Sequence, residues 1–194
     1  MVKRIVVASN NQHKIEEIKQ ILQGFEILKA SDIVEQFEAE ENGRSFCENA
    51  LIKARALKQF SEFATLADDS GLEVFALDNK PGIYSARYAL TGRDEDNVKK
   101  LLEELKGVED RAARFVCCMV IILPDGEILQ EEGYVYGSIT TQPYGKNGFG
   151  YDPVFMPEGY NKTFAQMSSD EKNSISHRRR ALEKIYKKLK DFNF

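Results

Sequence analysis

Two adjacent acidic residues lie where a short apolar segment ends, in Ala67-Asp68-Asp69-Ser70-Gly71. Their carboxylates repel each other, and burial increases that repulsion, so such pairs are often stabilised by a cation. Mg²⁺ is the expected ion because it takes few protein carboxylates and keeps water and substrate phosphates as its other ligands. A solvated turn is an equal alternative, since Asp-Ser-Gly also suits a turn.

A second polar segment, Ser9-Asn10-Asn11-Gln12-His13-Lys14, stands between a strand pattern and a helix pattern. The first amides of a helix lack intrahelical partners, and the helix dipole favours an anion there. Ser9 and Asn11 can cap those amides or bind phosphate oxygens. A bound phosphate would also make the otherwise unfavourable Lys14 stabilising. An ordinary polar N-cap beside a solvated lysine is the alternative.

Lys53 is predicted to lie at the edge of the apolar face of a helix. That face consists of Phe46, Ala50, Ala54 and Leu57. A partly buried ammonium at its edge calls for a carboxylate or phosphate partner, although a lysine that reaches solvent is the commoner case. Glu40 and Glu41, which precede this helix, form a second and weaker carboxylate pair, and acids in loops are usually only solvated.

The segment Gly148-Phe149-Gly150-Tyr151-Asp152-Pro153 places aromatic rings among glycines. Glycines allow a flat ring to approach the backbone closely. Phe149 or Tyr151 could stack on a base, and Asp152 could bind its edge. A hydrophobic loop that only plugs the core is the alternative.

Arg178 falls near the centre of the apolar face of the last predicted helix, so it needs a specific acceptor. Arg179 and Arg180 are predicted to face solvent. A nucleic-acid-binding patch is the competing interpretation of this basic run, but the run lacks interleaved aromatic residues. The sequence has no nucleophile elbow, no Cys/His nucleophile pair and only two histidines. Metal-assisted attack by water is therefore the favoured chemistry.

The elements that must position these groups alternate between strands and helices, which predicts one α/β chain with a long mixed sheet flanked by helices. Strands are predicted at residues 4–8, 27–28, 65–69, 72–77, 114–123 and 127–139, with a turn at 69–71 and an irregular loop at 142–157. Helices are predicted around residues 15–22 and at 45–60, 94–106 and 174–192. The second helix begins with the capping-box pattern Ser45-x-x-Glu48.

The 194-residue chain is 42% apolar and 30% charged, which favours a folded domain over disorder. It has no apolar run long enough to cross a membrane and no signal-peptide pattern. The net charge of −4 divides into +5 for residues 171–194 and −9 for the rest. This permits a local anion site and argues against a general DNA-binding surface. Cys47, Cys117 and Cys118 predict reduced thiols in a cytoplasmic protein, not a disulfide or a zinc site.

Six motifs, in family order along nearly the whole chain, together resemble the inosine triphosphate pyrophosphatase family. They are Ser9-x-Asn11-x-x-Lys14, Glu40-Glu41-x-Gly43-x-Ser45-Phe46-x-Glu48-Asn49-Ala50-x-x-Lys53-Ala54, Ala67-Asp68-Asp69-Ser70-Gly71-Leu72, Pro81-Gly82-Ile83-Tyr84-Ser85-Ala86-Arg87, Gly148-Phe149-Gly150-Tyr151-Asp152-Pro153 and Glu171-Lys172-x-x-Ile175-Ser176-His177-Arg178. Each motif alone is weak, but six in register are highly specific.

The resemblance implies a single elongated domain, residues 1–194, with two lobes and a central cleft, acting as a homodimer. It implies Mg²⁺-dependent hydrolysis of ITP, dITP and XTP to the monophosphate and pyrophosphate, which removes deaminated purines from the nucleotide pool. A purine nucleoside triphosphate is then the expected ligand, and neither nucleic acid nor a membrane is an expected partner.

The resemblance also implies a role for each matched residue. The catalytic centre would contain Lys53, Asp68 and Asp69, with Asp69 activating water, and the metal would be held by Asp69 and by Glu40 or Glu41. The triphosphate would be held by Ser9, Asn11, Lys14 and Lys172. The nucleoside would contact Ser70, Phe149, Gly150, Tyr151, Asp152, His177 and Arg178. Within this set, His177 and Arg178 could donate to the 6-oxo group of hypoxanthine or xanthine.

The chain departs from the family pattern at two positions. Asn10 stands where many members have glycine, and Arg179 stands where a glycine is common; neither change removes an implied contact.

Three alternatives remain: a pyrophosphatase for pyrimidine or modified nucleotides, a nucleotide-binding module without turnover, and a nucleic-acid-binding role for the basic tail. The His177-Arg178 pair counts against a pyrimidine substrate, and the retained Asp68-Asp69 pair counts against a module without turnover. The net negative charge of the rest of the chain counts against nucleic-acid binding.

Overall fold

A computed structural model describes residues 3–192 of the chain. The strands are β1 (Lys3–Val7), β2 (Phe25–Lys29), β3 (Ala64–Val74), β4 (Lys80–Pro81), β5 (Ala112–Ile122), β6 (Ile128–Ile139) and β7 (Phe155–Pro157). The helices are α1 (Gln12–Ile21), α2 (Phe46–Lys58), α3 (Asp94–Glu104), α4 (Ser169–Ile175) and α5 (His177–Leu189). None of the helices within residues 3–192 is long and apolar enough to cross a membrane.

The strands form one seven-stranded sheet in the order β2-β1-β3-β5-β6-β7, with β4 paired to β3. Strand β1 runs parallel to both β2 and β3, as expected when helical segments connect successive strands. Strands β4 and β7 pair in the antiparallel sense with β3 and β6. The predicted mixed sheet flanked by helices is therefore confirmed.

The chain divides into two compact units. The first unit contains Met1–Asp69, Cys117–Gly133 and Arg178–Phe194, and the second contains Ser70–Val116 and Tyr134–His177. In the first unit, the apolar face of α1, with Ile15 and Ile18, packs in one core with Leu182 and Ile185 of α5. These residues follow the helical spacing that the sequence shows, so both helices form because they share this buried face.

The second unit has an aromatic core. The rings of Phe115, Phe155 and Phe164 lie with their centroids 4.6 to 5.8 Å apart. The imidazole of His177 stacks on Phe115, with ring centroids 5.0 Å apart and planes at 12°. Leu101 of α3 is fully buried in the same core. Such ring pairs add to the stability gained from apolar burial alone.

The predicted turn at residues 69–71 is wrong, because β3 continues as one strand from Ala64 to Val74. The polar residues of this stretch find partners without a turn. Lys14 binds Asp68, and the amide of Leu72 donates to the hydroxyl of Ser85 at 2.9 Å. Since these polar groups are satisfied inside the sheet, the strand does not need to reverse there.

The single helix predicted at residues 174–192 is two helices. Ser176, with φ −63° and ψ 151°, is extended and separates α4 from α5. Ile175, before the break, packs in the core of the second unit, whereas Leu182, after it, packs in the core of the first. The extended backbone at Ser176 interrupts the helical spacing, so Ile175 and Leu182 do not share one helix face.

Two further differences concern the cysteines and the loop at 142–157. Cys47 and Cys118 form a disulfide, so the prediction of reduced thiols is wrong for this pair. Cys117 is a buried thiol outside that bond. The pairing brings together residues 71 positions apart, which cysteine spacing alone could not show. The loop at 142–157 ends in β7, a strand that the sequence pattern did not predict.

Candidate active site

Asp68 is buried in β3 and is surrounded by positive charge. Both of its carboxylate oxygens accept from the ammonium of Lys14, at 3.0 and 3.1 Å. The Nε of Arg178 donates to the same carboxylate at 3.3 Å. Burial opposes the charge on Asp68, but Lys14 and Arg178 outweigh it, so the pKa of Asp68 lies well below its usual value. Asp68 is therefore a permanent anion at neutral pH.

Arg178, the second residue of α5, has two carboxylate acceptors. Besides Asp68, its Nη1 donates to Oε2 of Glu17 on α1 at 3.3 Å, and Glu17 is itself buried. The expectation that Arg178 turns inward and requires an acceptor is confirmed. Glu17 was not predicted to act in the site; its only signal is that it lies one turn before Ile21 on the buried side of α1.

Asp69, the next residue of β3, is less buried and has a different environment. Its Oδ2 accepts from the side-chain amide of Asn49 at 3.1 Å, and its Oδ1 lies 4.0 Å from the ammonium of Lys53. Burial raises the pKa of Asp69 to about 6 even though Lys53 and Asn49 lower it. Two neighbouring carboxylates thus differ in proton affinity, which is the usual sign of different chemical roles.

Lys53 lies between two carboxylates, as its position at the edge of the α2 apolar face predicts. Its ammonium is 3.4 Å from Oε1 of Glu41 and 4.0 Å from Oδ1 of Asp69. Glu41 is near enough for its charge to raise the pKa of Asp69, whereas Glu40 is exposed. Of the two glutamates that the sequence left open, Glu41 is therefore the one that faces Asp69.

Asn49 connects the loop before α2 to Asp69 and was not assigned a role from the sequence. Its side chain is buried, accepts from the amide of Gly43 at 2.8 Å and donates to Asp69. A Cβ at Gly43 would lie 2.7 Å from the Asn49 side-chain oxygen, so only glycine fits there. The available signal was its position four residues before Lys53, on the same side of α2.

The N-terminus of α1 is capped by the chain itself. The side-chain oxygen of Asn11 accepts from the amides of His13 and Lys14, at 3.0 and 3.3 Å, and Ser9 Oγ accepts from the Asn11 amide at 3.1 Å. The capping role foreseen for Asn11 is confirmed. An anion here would contact side chains and not these amides, because the amides already have partners.

Lys172, Asp152 and Phe149 meet in the second unit. The ammonium of Lys172 donates to Oδ2 of Asp152 and lies 4.5 Å from the ring centroid of Phe149. Asp152 is buried and also accepts from the Phe149 amide at 3.0 Å. Gly148 makes this possible, since its φ is +73° and a Cβ there would lie 2.0 Å from the Asp152 carboxylate.

The remaining residues predicted to contact a nucleoside have defined places. Tyr151 is only 4% exposed and its hydroxyl donates to the carbonyl of Ser85, so it belongs to the core and is not available for stacking. Phe149 is 65% exposed and is the ring that could stack. The amide of Gly150 donates to Asp94 at 2.7 Å, and Ser70 is half-buried on β3.

The sequence profile of the Ham1 family matches residues 5–188. This chain belongs to the Ham1 family. The matched range includes every residue discussed above as a candidate site residue, from Ser9 to Arg178.

Relatives in the Ham1 family include proteins named dITP/XTP pyrophosphatase. The Staphylococcus epidermidis protein is 48% identical to this chain over 179 residues, which cover 92% of each chain. The Clostridium perfringens protein is 48% identical over 200 residues, which cover 97% of this chain and 98% of that protein. The solved Ham1 protein of Staphylococcus aureus is 45% identical, with a TM-score of 0.92 over 97% of this chain and 99% of that one.

A second solved structure extends the comparison. The nucleoside-triphosphatase / dITP/XTP pyrophosphatase of Mycobacterium abscessus is 42% identical, with a TM-score of 0.79 over 94% of this chain and 97% of its own. Identity and coverage are both high, so the fold of this chain is that of the solved Ham1 proteins.

Proposed function

We propose that this nucleoside triphosphate pyrophosphatase hydrolyses dITP, XTP and ITP to the monophosphate and pyrophosphate, in a reaction that depends on Mg²⁺. The observation that carries the proposal is the pair of adjacent carboxylates on β3, in which Asp68 accepts from Lys14 and Arg178 while Asp69 accepts from Asn49 and lies 4.0 Å from the ammonium of Lys53. The names of the relatives support the substrate class. Such a reaction would remove deaminated purines from the cytoplasmic nucleotide pool.

Asp69 and Glu41 are the residues that would hold Mg²⁺. They supply the hard carboxylate oxygens that this ion prefers, and the ammonium of Lys53 already lies close to both carboxylates, so the position attracts positive charge. When bound, the metal would supply charge neutralisation for the phosphates. Glu40, being exposed, has no part in this proposal.

Asp69 is also the group that would accept a proton from the attacking water. A general base works best when its pKa lies near the working pH, and the raised pKa of Asp69 meets that condition better than the lowered pKa of Asp68. Asp68 instead holds the cations of Lys14 and Arg178 in place. Lys53 would offset the negative charge that develops on the leaving group.

The substrate-binding roles implied by the family resemblance complete the proposal. Lys14 donates to both carboxylate oxygens of Asp68, which leaves one of its three ammonium hydrogens for a phosphate oxygen. The exposed ring of Phe149 would stack on the purine, beside the ammonium of Lys172. The other proposed contacts are Ser9 and Asn11 for the triphosphate and Ser70, Gly150, Asp152, His177 and Arg178 for the nucleoside.

The test is a substrate panel in Mg²⁺ with products resolved as pyrophosphate or orthophosphate. We expect turnover of dITP, XTP and ITP well above that of ATP, GTP, dUTP and dTTP, with pyrophosphate as the product. In ¹⁸O-labelled water, the label should enter the monophosphate, because water attacks the α-phosphorus. Release of orthophosphate, or label in pyrophosphate, would contradict the proposal.

Asp69→Asn tests the base directly. We expect kcat to fall by about 10²- to 10⁴-fold while substrate binding stays measurable, because the amide keeps the shape but cannot accept the proton. Asp78→Asn is the matched control, since Asp78 is exposed and lies in a left-handed conformation that asparagine also tolerates. A near-normal kcat for Asp69→Asn would exclude Asp69 as base or metal ligand.

A homodimer, implied by the family resemblance, is the last part of the proposal. Sedimentation equilibrium over a range of protein concentrations tests it, and a mass of one chain throughout would contradict it.

A further inference from the structure

We propose that Cys47 and Cys118 form a reversible disulfide that controls the candidate active site, so that reduction of this bond lowers catalytic activity. The bond joins α2 to β5 within the first unit. The inference concerns regulation of the same site, and its activity measurement therefore rests on the proposed function. The supporting structural measurements do not.

The position of Cys47 connects the disulfide to the site. Cys47 is the second residue of α2, and Asn49, in the same helical turn, donates to Asp69. Lys53, four residues after Asn49, lies near both Asp69 and Glu41. The disulfide fastens the beginning of α2 to a buried strand, so it restricts the helix that carries both groups. A small displacement of catalytic groups is enough to lower a rate strongly.

The two sulfurs differ in solvent accessibility, which determines the sulfur that a reductant attacks first. Cys118 is fully buried, whereas Cys47 is partly exposed. A dithiol reductant would attack the Cys47 sulfur as a thiolate, breaking the S–S bond and releasing Cys118, which takes up a proton. The second thiol of the reductant then displaces Cys47. The products are two protein thiols and the reductant's own disulfide, so electrons and protons balance.

Glu132 gives this pair a charged neighbour. Its Oε1 lies 3.4 Å from the sulfur of Cys47. A disulfide sulfur has no hydrogen to donate, whereas the reduced thiol of Cys47 could donate to this carboxylate. The same negative charge repels an incoming thiolate and disfavours the thiolate form of Cys47, so Glu132 should slow exchange in both directions.

A metal site is the competing interpretation. The two sulfurs and a Glu132 oxygen lie within 4.8 Å of one another, and in the reduced protein they could bind a soft divalent cation such as Zn²⁺. The S–S bond excludes ligation by both thiolates, so the bonded form favours the redox interpretation. Stoichiometric Zn²⁺ binding by the reduced protein would overturn it.

The experiment compares the full-length protein before and after treatment with dithiothreitol, followed by removal of the reductant and reoxidation. Alkylation of the denatured protein should count one thiol in the oxidised form and three in the reduced form. We expect reduction to lower kcat/KM for dITP on the order of tenfold, and reoxidation to restore it. Hydrogen exchange of the α2 backbone amides should become faster on reduction.

Matched variants separate the disulfide from other effects. Cys47→Ser and Cys118→Ser should abolish the response to reductant, whereas Cys117→Ser, which changes the adjacent buried thiol, should retain it. Glu132→Gln, which removes the charge but keeps the shape, should speed reduction. If any single variant fails to fold, the others still give the comparison.

The outcomes distinguish this inference from the proposed function. Absence of turnover in both redox forms would contradict the proposed function, while the thiol count and hydrogen exchange would still test the disulfide. Three thiols in the oxidised protein, or equal α2 exchange in the two forms, would overturn the inference. So would turnover that is unchanged by reduction.

Discussion

At the scale of single residues, Asp68 is the centre of the charge balance in the first unit. Asp68→Asn keeps the shape of the side chain but leaves the largely buried charges of Lys14 and Arg178 without their shared anion. Breaking a buried ion pair on one side costs about 3 to 5 kcal/mol, so we expect the free energy of unfolding to fall by that amount at pH 7. Urea denaturation of the two proteins measures the difference.

The same comparison has a defined pH dependence. The folded-state pKa of Asp68 lies below the ordinary value of 3.8, so its contribution to stability is present above about pH 4 and is lost as the pH falls further. The difference in unfolding free energy between the native protein and Asp68→Asn should therefore shrink on acidification from pH 5 to pH 3. A constant difference would show that the lowered pKa of Asp68 is not its source.

Asn49 offers a second prediction at this scale, because its hydrogen bond lowers the pKa of Asp69. Asn49→Ala removes that bond, so the pKa of Asp69 should rise. The measurement is an NMR titration of the Asp69 carboxyl in the metal-free native protein and in metal-free Asn49→Ala, because a bound cation would itself lower this pKa. An unchanged titration midpoint would mean that Asn49 does not influence the pKa of Asp69.

Side-chain directions along a helix could be predicted from the sequence, but tertiary partners could not. The inward position of Arg178 and the partly buried position of Lys53 follow from helical spacing alone. The bond from Arg178 to Glu17 on α1 and the bond from Asn49 to Asp69 on β3 each join two elements, so they depend on how the elements pack. For the same reason, the exposed Phe149 and the buried Tyr151 could not be distinguished within one loop.

At the scale of elements, α2 depends on its first turn. The hydroxyl of Ser45 accepts from the Glu48 amide at 3.1 Å, whereas the Glu48 carboxylate accepts from the amide of Arg44 and not from that of Ser45. Ser45→Ala should cost about 1 kcal/mol, within a usual range of about 0.5 to 2. That corresponds to a fall in Tm of about 2 to 4 °C for a chain of this size.

Ser168→Ala is the matched control for this cap. Ser168 caps α4 in the same way, with its side chain accepting from the Glu171 amide, but α4 has only seven residues and carries Lys172, a proposed substrate contact, instead of Asn49 and Lys53. Both variants should lose stability; Ser45→Ala should lower the kcat through Asn49 and Lys53, whereas Ser168→Ala should act on the KM through Lys172. Equal loss of activity in the two would indicate a general effect of stability.

The elements that the sequence predicted well are those with a strong local signal. The hairpin of β5 and β6, the capped start of α2 and the opening β1–α1–β2 all have clear periodicity or turn residues. The continuity of β3 and the break at Ser176 were missed, because each depends on a distant partner: Lys14 for Asp68, and two different cores for Ile175 and Leu182.

At the scale of the whole molecule, three strands contribute residues to both compact units. Strands β3, β5 and β6 each pass from one unit to the other. Ile18→Ala removes apolar volume from the first core and Leu101→Ala from the second, and each should cost about 2 to 5 kcal/mol. Because the strands are shared, we expect one cooperative transition at a lower midpoint in both variants. Calorimetry checks this, and two separate transitions would contradict it.

Family resemblance supplied what physical patterns in one sequence could not. Composition and charge predicted a folded α/β chain with a local anion site, but they did not locate it. The carboxylates and cations of the first unit come from segments far apart along the chain, from Lys14 to Arg178. The disulfide lay outside both kinds of prediction, because neither the spacing of the cysteines nor the motifs pointed to it.

The two outer strands of the sheet bear on how this protein behaves in concentrated solution. Strand β7 has three residues and ends at Pro157, which has no amide hydrogen to donate, and β2, at the opposite edge, carries the charged side chains of Glu26 and Lys29. Edge strands that are short, charged or end in proline are poor templates for pairing with a strand from another chain. The sheet therefore resists aggregation by strand addition at both ends.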